Sequence, residues 1–414
     1  MLSTLRRHAS RSPAFAVARR ALGVWRKAAY ERQIARFVRD QTGVAERLPR
    51  AAVYETTMRC NLHCGFCWVG ELLNLEGEWR QELSLDTLRT AFPEQVGFGI
   101  SLTGGEIFMR KDILEVLRLF QQKGYHLGYL TTNGTIINDE RADALAGLAR
   151  AGFLRHISIS IDGPKDIHDE ARGARGTYER TAAGLRRLQE AVARSGGAHL
   201  PISVNTTVTQ EGLEALDEMV DVADELGVDA IGLNHLMYST PDEVQETLDL
   251  IGEDDPKVIQ TYVTPDPGLR PGPVRAKIAS LAKKCRRRGI RFGPRPQVSD
   301  AVMDSYYEPG SPLAGRCLYP FLNTRVSFSG KVYFCPLIRV EVGDLTQQPL
   351  EEIWNGERYV ELRRRLLEHK LFPVCRRCCK VELSAEPVPQ PAALHATRTV
   401  ARPAASTSVA GEHR

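Results

Sequence analysis

Between about residues 51 and 235 the apolar positions follow two alternating periods, one of a strand and one of a helix. Ala52–Thr57 reads as a short strand, Leu85–Phe92 as a helix, and Gly97–Leu102 as an apolar strand running into Thr103-Gly104-Gly105-Glu106. Asp112–Lys123 follows as a helix with Ile113, Val116, Leu117 and Phe120 on one side and Asp112 as its cap. The strand His126–Leu130 leads into Thr131-Thr132-Asn133-Gly134, a helix spans 139–151, and His156–Ile161 leads into Asp162-Gly163-Pro164. A helix over 177–194, the strand Ile202–Val208, a helix over 211–226 and the strand Ala230–Leu233 complete the run. Six strand-then-helix repeats predict an α/β fold in which a parallel sheet, a partial (β/α)6 barrel, carries its helices outside. Binding residues in such sheets gather at the C-terminal strand ends. The cysteine loop at 60–67, Gly-Gly-Glu, Thr-Thr-Asn-Gly and Ser-Ile-Asp-Gly all fall there, so one site across the barrel mouth is expected.

The flanks read differently. Phe15, Ala18, Leu22, Trp25 and Ala29, continued by Tyr30, Ile34 and Phe37, give an amphipathic helix over 13–40. Its basic face suits peripheral contact with an anionic membrane, a docked helix with a solvated face, or a transit peptide. Residues 1–50 form a basic helical extension, 51–240 the core barrel, and 241–316 a connector that also covers the mouth. Lys283–Arg288 in that connector reads as a solvated basic helix face. Residues 317–383 form a small α+β unit with a hairpin around Ser329-Gly330 and a helix over 349–368. Residues 384–414, rich in Pro, Ala, Ser and Thr, read as a disordered tail.

Charge belongs to the first segment. Twelve Arg/Lys against three acids make residues 1–50 net +9, which leaves −5 on the rest of a chain whose total is +4. A body of that sign is not expected to bind nucleic acid. No apolar run approaches the ~20 residues of a membrane span, and no secretory signal is evident. The nine cysteines stand at 60/64/67, 285, 317, 335 and 375/378/379. Two tight groups read as metal sites in a reducing cytoplasm, with a membrane-peripheral placement if residues 13–40 bind lipid.

Cys60, Cys64 and Cys67, spaced C-x3-C-x2-C, can ligate three irons of a 4Fe–4S cube and leave the fourth iron without a cysteine. Zinc is the alternative, with His63 inside the loop as a fourth ligand. Cys317, Cys335, Cys375 and Cys378 (or the adjacent Cys379) can fully ligate one more cube or form a zinc knuckle. Cys285 reads as an ordinary thiol.

With those motifs in order at strand ends, the chain resembles the radical S-adenosylmethionine (radical SAM) superfamily over roughly residues 50–240. The resemblance implies that Phe66, before the third cysteine, packs near the adenine. It implies that Gly104, Gly105 and Glu106 allow close backbone approach and pair a carboxylate with the SAM ammonium. It implies that the strand end from Ser160 to Asp162 meets the ribose, with Asn133 and Asn205 as further SAM contacts. His168–Gly173 resembles the segment in which an arginine, here Arg172, reaches the SAM carboxylate. The unit from Cys317 resembles SPASM/twitch domains, which implies one auxiliary 4Fe–4S cluster.

The expected function is reductive cleavage of SAM to a 5′-deoxyadenosyl radical that takes hydrogen from an unactivated carbon, giving oxidation or bond formation. No catalytic residue is assigned beyond the cluster. The substrate is a small molecule or a peptide, and a flavodoxin or ferredoxin is the expected electron donor. A peptide maturase making thioether or carbon–carbon links, a lipid-modifying enzyme, and a non-catalytic iron–sulfur or zinc protein are the alternatives.

Overall fold

A computed structural model describes residues 36, 39–77, 81–94, 97–196 and 200–384. Nearly all of the N-terminal amphipathic stretch and the tail from 385 lie outside the described residues. Among the described residues no helix is long and apolar enough to cross a membrane.

Strands β1 (Ala51–Thr57), β2 (Gly99–Gly104), β3 (His126–Thr132), β4 (Ile157–Ser160), β5 (Ile202–Thr207) and β6 (Ala230–Asn234) pair in sequential order, all parallel. This is the partial α/β barrel expected of the pattern. The stretch between 241 and 316 adds to it: β7 (Arg291–Arg295) extends the sheet as a parallel neighbour of β6. At the other edge β8 (Asn323–Val326) runs parallel to β1, and β9 (Lys331–Tyr333) and β10 (Glu341–Asp344) follow it antiparallel. The cysteine-bearing hairpin is therefore continuous with the barrel sheet through β8.

Alternation sets the two faces. In β5, Ile202 and Val204 are buried under the outer helices, while Asn205 and Thr207 on the other parity line the concave face. In β7, Phe292 packs on the apolar core, and Arg291, Gly293 and Arg295 are exposed on the opposite parity. Outside β1–β3, Tyr54, Phe92, Phe98, Phe120 and Tyr125 form one ring cluster, with Phe120 stacked on Tyr125 at 5.6 Å.

Local departures have local causes. β2 runs two residues further than its apolar run, because Gly104 pairs with Thr57. Asp112 sits at the N-cap of Ile113–Gln122 but caps no N–H; its carboxylate takes Arg110 Nε at 2.8 Å. Arg110 is buried and also donates to Tyr54 Oη, Thr56 O and Leu83 O, so its demand for acceptors wins. The helix expected over 211–226 is a turn, a 3-10 segment Leu216–Glu218 and a short helix Met219–Glu225. Thr209 Oγ1 takes Gly212 N at 3.1 Å and holds a turn where a helix would start. On the basic face of Pro271–Arg288, Lys283, Arg286 and Arg287 are exposed as expected, while Lys284 meets Asp217 and Arg288 meets Asp221 and Asp224. Cys285 on that helix is buried.

Candidate active site

The cysteine loop leaves β1 and is clamped from three sides. Gly104 has φ 129°, and a Cβ there would lie 2.1 Å from Thr57 O; a Cβ on Gly105 would lie 2.3 Å from Arg59 O. These glycines therefore admit the backbone that enters the cysteine loop, with Gly105 N and Glu106 N donating to Thr57 O and Arg59 O. The close approach is chain to chain. On a second side Asn74, left-handed at φ 59°, accepts from Cys60 N at 2.9 Å and donates to Cys60 O at 3.0 Å. On the third, Asn133 Nδ2 donates to Asn61 Oδ1 at 2.9 Å, and Asn61 Nδ2 donates to Thr135 Oγ1 at 2.8 Å. Asn133 thus spends its amide on the loop.

Glu106 is buried and accepts from Thr132 Oγ1 at 2.6 Å, Asn133 N at 2.7 Å and Phe108 N at 3.3 Å. Burial pushes its pKa up against those three donors. A carboxylate has about four acceptor positions, so three donors leave one for an outside group. Burial, with the neighbouring charges of Glu106, Cys64 and Cys67, pushes the Cys60 thiol up to about 11. Cys67 is raised too, by burial and then by Cys64. Thiols this crowded suit a cationic group that takes them as thiolates. His63 is exposed, and its carbonyl packs on Gly173, where a Cβ would lie 2.6 Å from it.

Arg172 joins the motifs. Its Nη1 lies 3.6 Å from Cys64 Sγ, its Nη2 lies 2.5 Å from Asp162 Oδ2, and its guanidinium carbon is 5.4 Å from the Phe66 ring centre. Asp162 also accepts from Thr207 N at 3.0 Å and donates its own N–H to His168 Nδ1. Arg172 Nε is buried and lacks a hydrogen-bond partner among the described residues. Cys64, Phe66, Asp162 and Arg172 are thereby brought together. Ser160, the last residue of β4, pairs in register with Asn205 of β5, both half-buried, and Asn205 Oδ1 lies 2.8 Å from where a Cβ on Gly232 would sit.

The second set is more enclosed. Cys335, Cys375 and Cys378 are buried and Cys317 is half-buried. Burial pushes Cys317 up to about 12, helped by Cys335, and Cys335 up to about 11. Cys375 is raised by burial and then by Cys317 and Cys335. Cys378 hydrogen-bonds Cys379, so the two adjacent thiols share one place. Cys379 N also donates to Met237 Sδ. Among the described residues no three His, Cys, Asp or Glu side chains converge on one metal ion. A cube differs in spreading its thiolates over separate irons, so these donor sets fit it.

Several organising residues have no motif. Asn74, Asn61 and Thr135 act only through folded geometry. Glu55, a carboxylate inside the otherwise apolar start of β1, was the one readable signal; it is fully buried between Arg325 and Arg339. Two depressions of about 550 and 650 Å³ lie elsewhere, around Arg47–Arg50 and around Ser84–Thr90, and neither contains a cysteine.

Residues 54–223 match the radical SAM superfamily, and residues 317–379 match SPASM, an iron–sulfur cluster-binding domain. The chain is 28% identical to an AdoMet-dependent heme synthase of Methanosarcina barkeri, over 76% of this chain and 85% of that one. It is 31% identical to a PqqA peptide cyclase of Ruegeria pomeroyi over 43% of this chain and 45% of that one. Its fold is similar to Streptococcus suis SuiB bound to precursor peptide SuiA, with a TM-score of 0.53 at 15% identity, covering 80% of this chain and 70% of that one.

Proposed function

We propose that this chain, which belongs to the radical SAM superfamily and carries a C-terminal SPASM domain, oxidises a carboxylate-bearing organic substrate at the barrel mouth. When bound, a 4Fe–4S cluster on Cys60, Cys64 and Cys67 supplies the electron that cleaves SAM to methionine and a hydrogen-abstracting 5′-deoxyadenosyl radical, and an auxiliary cluster supplies an acceptor for the electron that oxidation releases. Cys317, Cys335, Cys375 and Cys378 are assigned to the auxiliary cluster. A flavodoxin or ferredoxin is assigned as donor.

The protein's own groups orient and shield. Arg172 carries the reading: held by Asp162 and set over Phe66 beside Cys64, it has an unpartnered Nε to offer the SAM carboxylate. Glu106 keeps one acceptor position for the SAM ammonium, and Ser160 and Asn205 face the ribose. Asn133 positions the loop through Asn61. On β7, Arg291 and Arg295 face the concave side, and their charges, after burial, help to push His156, the residue before β4, below its ordinary pKa. Arg295, at the C-terminal end of β7 and exposed, suits an acidic substrate at the mouth.

Likeness to a heme synthase along most of both chains favours a tetrapyrrole carboxylate. A peptide substrate is the second reading, favoured by the 31% identity of the core to a peptide cyclase. Anaerobic reconstitution should give about eight irons per chain, as two cubes require, and SAM cleavage under dithionite. Incubation with a deuterated iron porphyrin bearing propionates, or with a deuterated acidic peptide, should place deuterium in 5′-deoxyadenosine for one of them. Arg295→Glu should suppress that transfer at least tenfold while leaving substrate-free SAM cleavage intact. Zinc without iron, or iron without cleavage, would overturn the enzyme reading; unaltered transfer by Arg295→Glu would overturn the acidic subsite.

A further inference from the structure

Two aromatic rings stand over buried cations on the concave side of the sheet. In β1, Ala52 and Tyr54 are buried under the outer helices, so Val53 and Glu55 point the other way. Val53 pairs with Arg325 of β8, and Arg325 pairs with Tyr333 of β9, which puts all three side chains on that concave face. Glu55 is fully buried and accepts from Arg325 Nε at 2.7 Å and from Arg339 Nη2 at 2.9 Å. The Arg325 guanidinium covers the ring of Trp68 at 5.0 Å from its centre, and the Arg339 guanidinium covers the ring of Tyr333 at 4.1 Å. One carboxylate thus fixes two cations and, through them, two rings.

Burial divides these groups into an inner and an outer layer. The arginine side chains are only 5% and 7% exposed, whereas both rings are half-buried. Each cation therefore takes the inner face of its ring, and the accessible part of the ring lies away from it. Val53 and Ser101, which continue the same register row into β1 and β2, are half-buried as well, so the concave face is not filled there. Among the described residues nothing accepts from the Trp68 indole N–H, in contrast to Trp354, whose Nε1 donates to Arg47 O at 2.7 Å. A half-open tryptophan with an unused N–H is a common feature of recognition surfaces.

Stability is a weak reason for the buried ions, because apolar side chains of similar volume often replace such clusters at no cost. A pair of fixed, half-open rings has another use, since aromatic faces bind flat π-systems in offset stacks. We infer that Trp68 and Tyr333, held by Glu55, Arg325 and Arg339, form a stacking platform for a flat conjugated substrate wider than a single aromatic side chain. Two rings on two cations of one carboxylate offer more area than one side chain covers, which favours a macrocycle over a peptide. The inference rests on the reading that substrate is held at the barrel mouth. It adds recognition of the ring plane to recognition of the carboxylates.

The test is equilibrium dialysis of the anaerobically reconstituted full chain, without SAM, against a metal-free porphyrin bearing propionates and against the matching porphyrinogen. The two carry the same carboxylates, but methylene bridges break the conjugation of the porphyrinogen and pucker its ring. The wild type should hold the porphyrin about tenfold more tightly, the worth of one or two offset stacks. Trp68→Ala and Tyr333→Ala should each lose most of that preference, and Trp68→Phe, which keeps a ring, should retain it. Tyr333 lies outside the cysteine loop, so Tyr333→Ala decides alone should Trp68→Ala lose its iron. No binding of the porphyrin, equal affinity for the two macrocycles, or a preference that survives both alanine variants would overturn the inference. So would tighter binding of an acidic, tyrosine-bearing peptide than of the porphyrin. Dialysis needs no turnover, so these results leave the SAM chemistry standing, whereas iron without SAM cleavage overturns the enzyme reading and not the platform.

Discussion

At the scale of single residues, backbone contacts around the cysteine loop leave no room for substitution. Gly104→Ala would set a Cβ 2.1 Å from Thr57 O on a backbone at φ 129°, so both sterics and conformation oppose it. A loss of about 3 kcal/mol or more is expected, read as a lowered urea midpoint together with lost iron at the first site. His168 makes a different prediction. Burial, and after it the charge of Arg172, pushes its pKa down to about 4 from an ordinary 6.5. Between those values the unfolded chain binds the proton more readily, so the stabilisation is complete above 6.5 and is lost as pH falls towards 4. His235, likewise near 4 through burial, adds a second such group. Each steepens the decline by up to about 1.4 kcal/mol per pH unit. His168→Asn retains an acceptor for Asp162 N and removes one titration, so urea midpoints between pH 7.5 and 5.5 should decline less steeply than in the wild type.

At the scale of elements, the auxiliary cysteines depend on one buried cation. Arg377, between Cys375 and Cys378, donates to Tyr306 O at 2.8 Å, Glu243 Oε1 at 2.8 Å and Glu308 O at 2.8 Å, under the ring of Tyr238. Arg377→Ala would leave Glu243 with only the longer 3.4 Å contact to Arg376 and the Thr240 N–H, and would strip Tyr306 O and Glu308 O of their donor, at a cost of about 3 kcal/mol. Iron analysis should find the C-terminal cluster lost and the first retained. Cys378→Ala should lose it too, and Cys379→Ala should keep it if Cys378 is the fourth ligand; reversed iron counts would assign Cys379. Most of these elements were readable from sequence because both periods are strong: β1 to β6 and the helix Thr177–Arg194 follow from apolar spacing alone. Where reading failed, a side chain competed with the backbone, as Thr209 did before Leu216 and Arg110 did at Asp112. The cysteines, Gly-Gly-Glu and Arg172 stand out as residue types in order. Asn74, Asn61 and Trp68 do not, because their roles come from meetings that spacing does not encode.

At the scale of the whole molecule, the chain reads as a barrel followed by a smaller unit, yet the sheet runs through both. β8 covers the edge of β1 along Ala51–Tyr54, and Arg325 and Arg339 supply both cations of Glu55. From the other direction, Asn355 exchanges hydrogen bonds with the backbone of Ala45, and Trp354 Nε1 donates to Arg47 O at 2.7 Å. Removing residues 317–414 would leave β1 as an open edge and Glu55 as a lone buried carboxylate. The second defect alone costs about 3–5 kcal/mol, against a typical total stability of about 5–15. The truncated chain should therefore fail to fold and hold no iron at either site. The full-length double variant Cys317→Ala/Cys335→Ala keeps β8, both arginines and the Ala45 contacts, so it should retain about four irons and cleave SAM. Iron analysis and 5′-deoxyadenosine assays on the pair separate the two roles of the C-terminal unit. A truncated chain that still cleaved SAM would show that the first site needs neither the sheet extension nor the cations of Glu55.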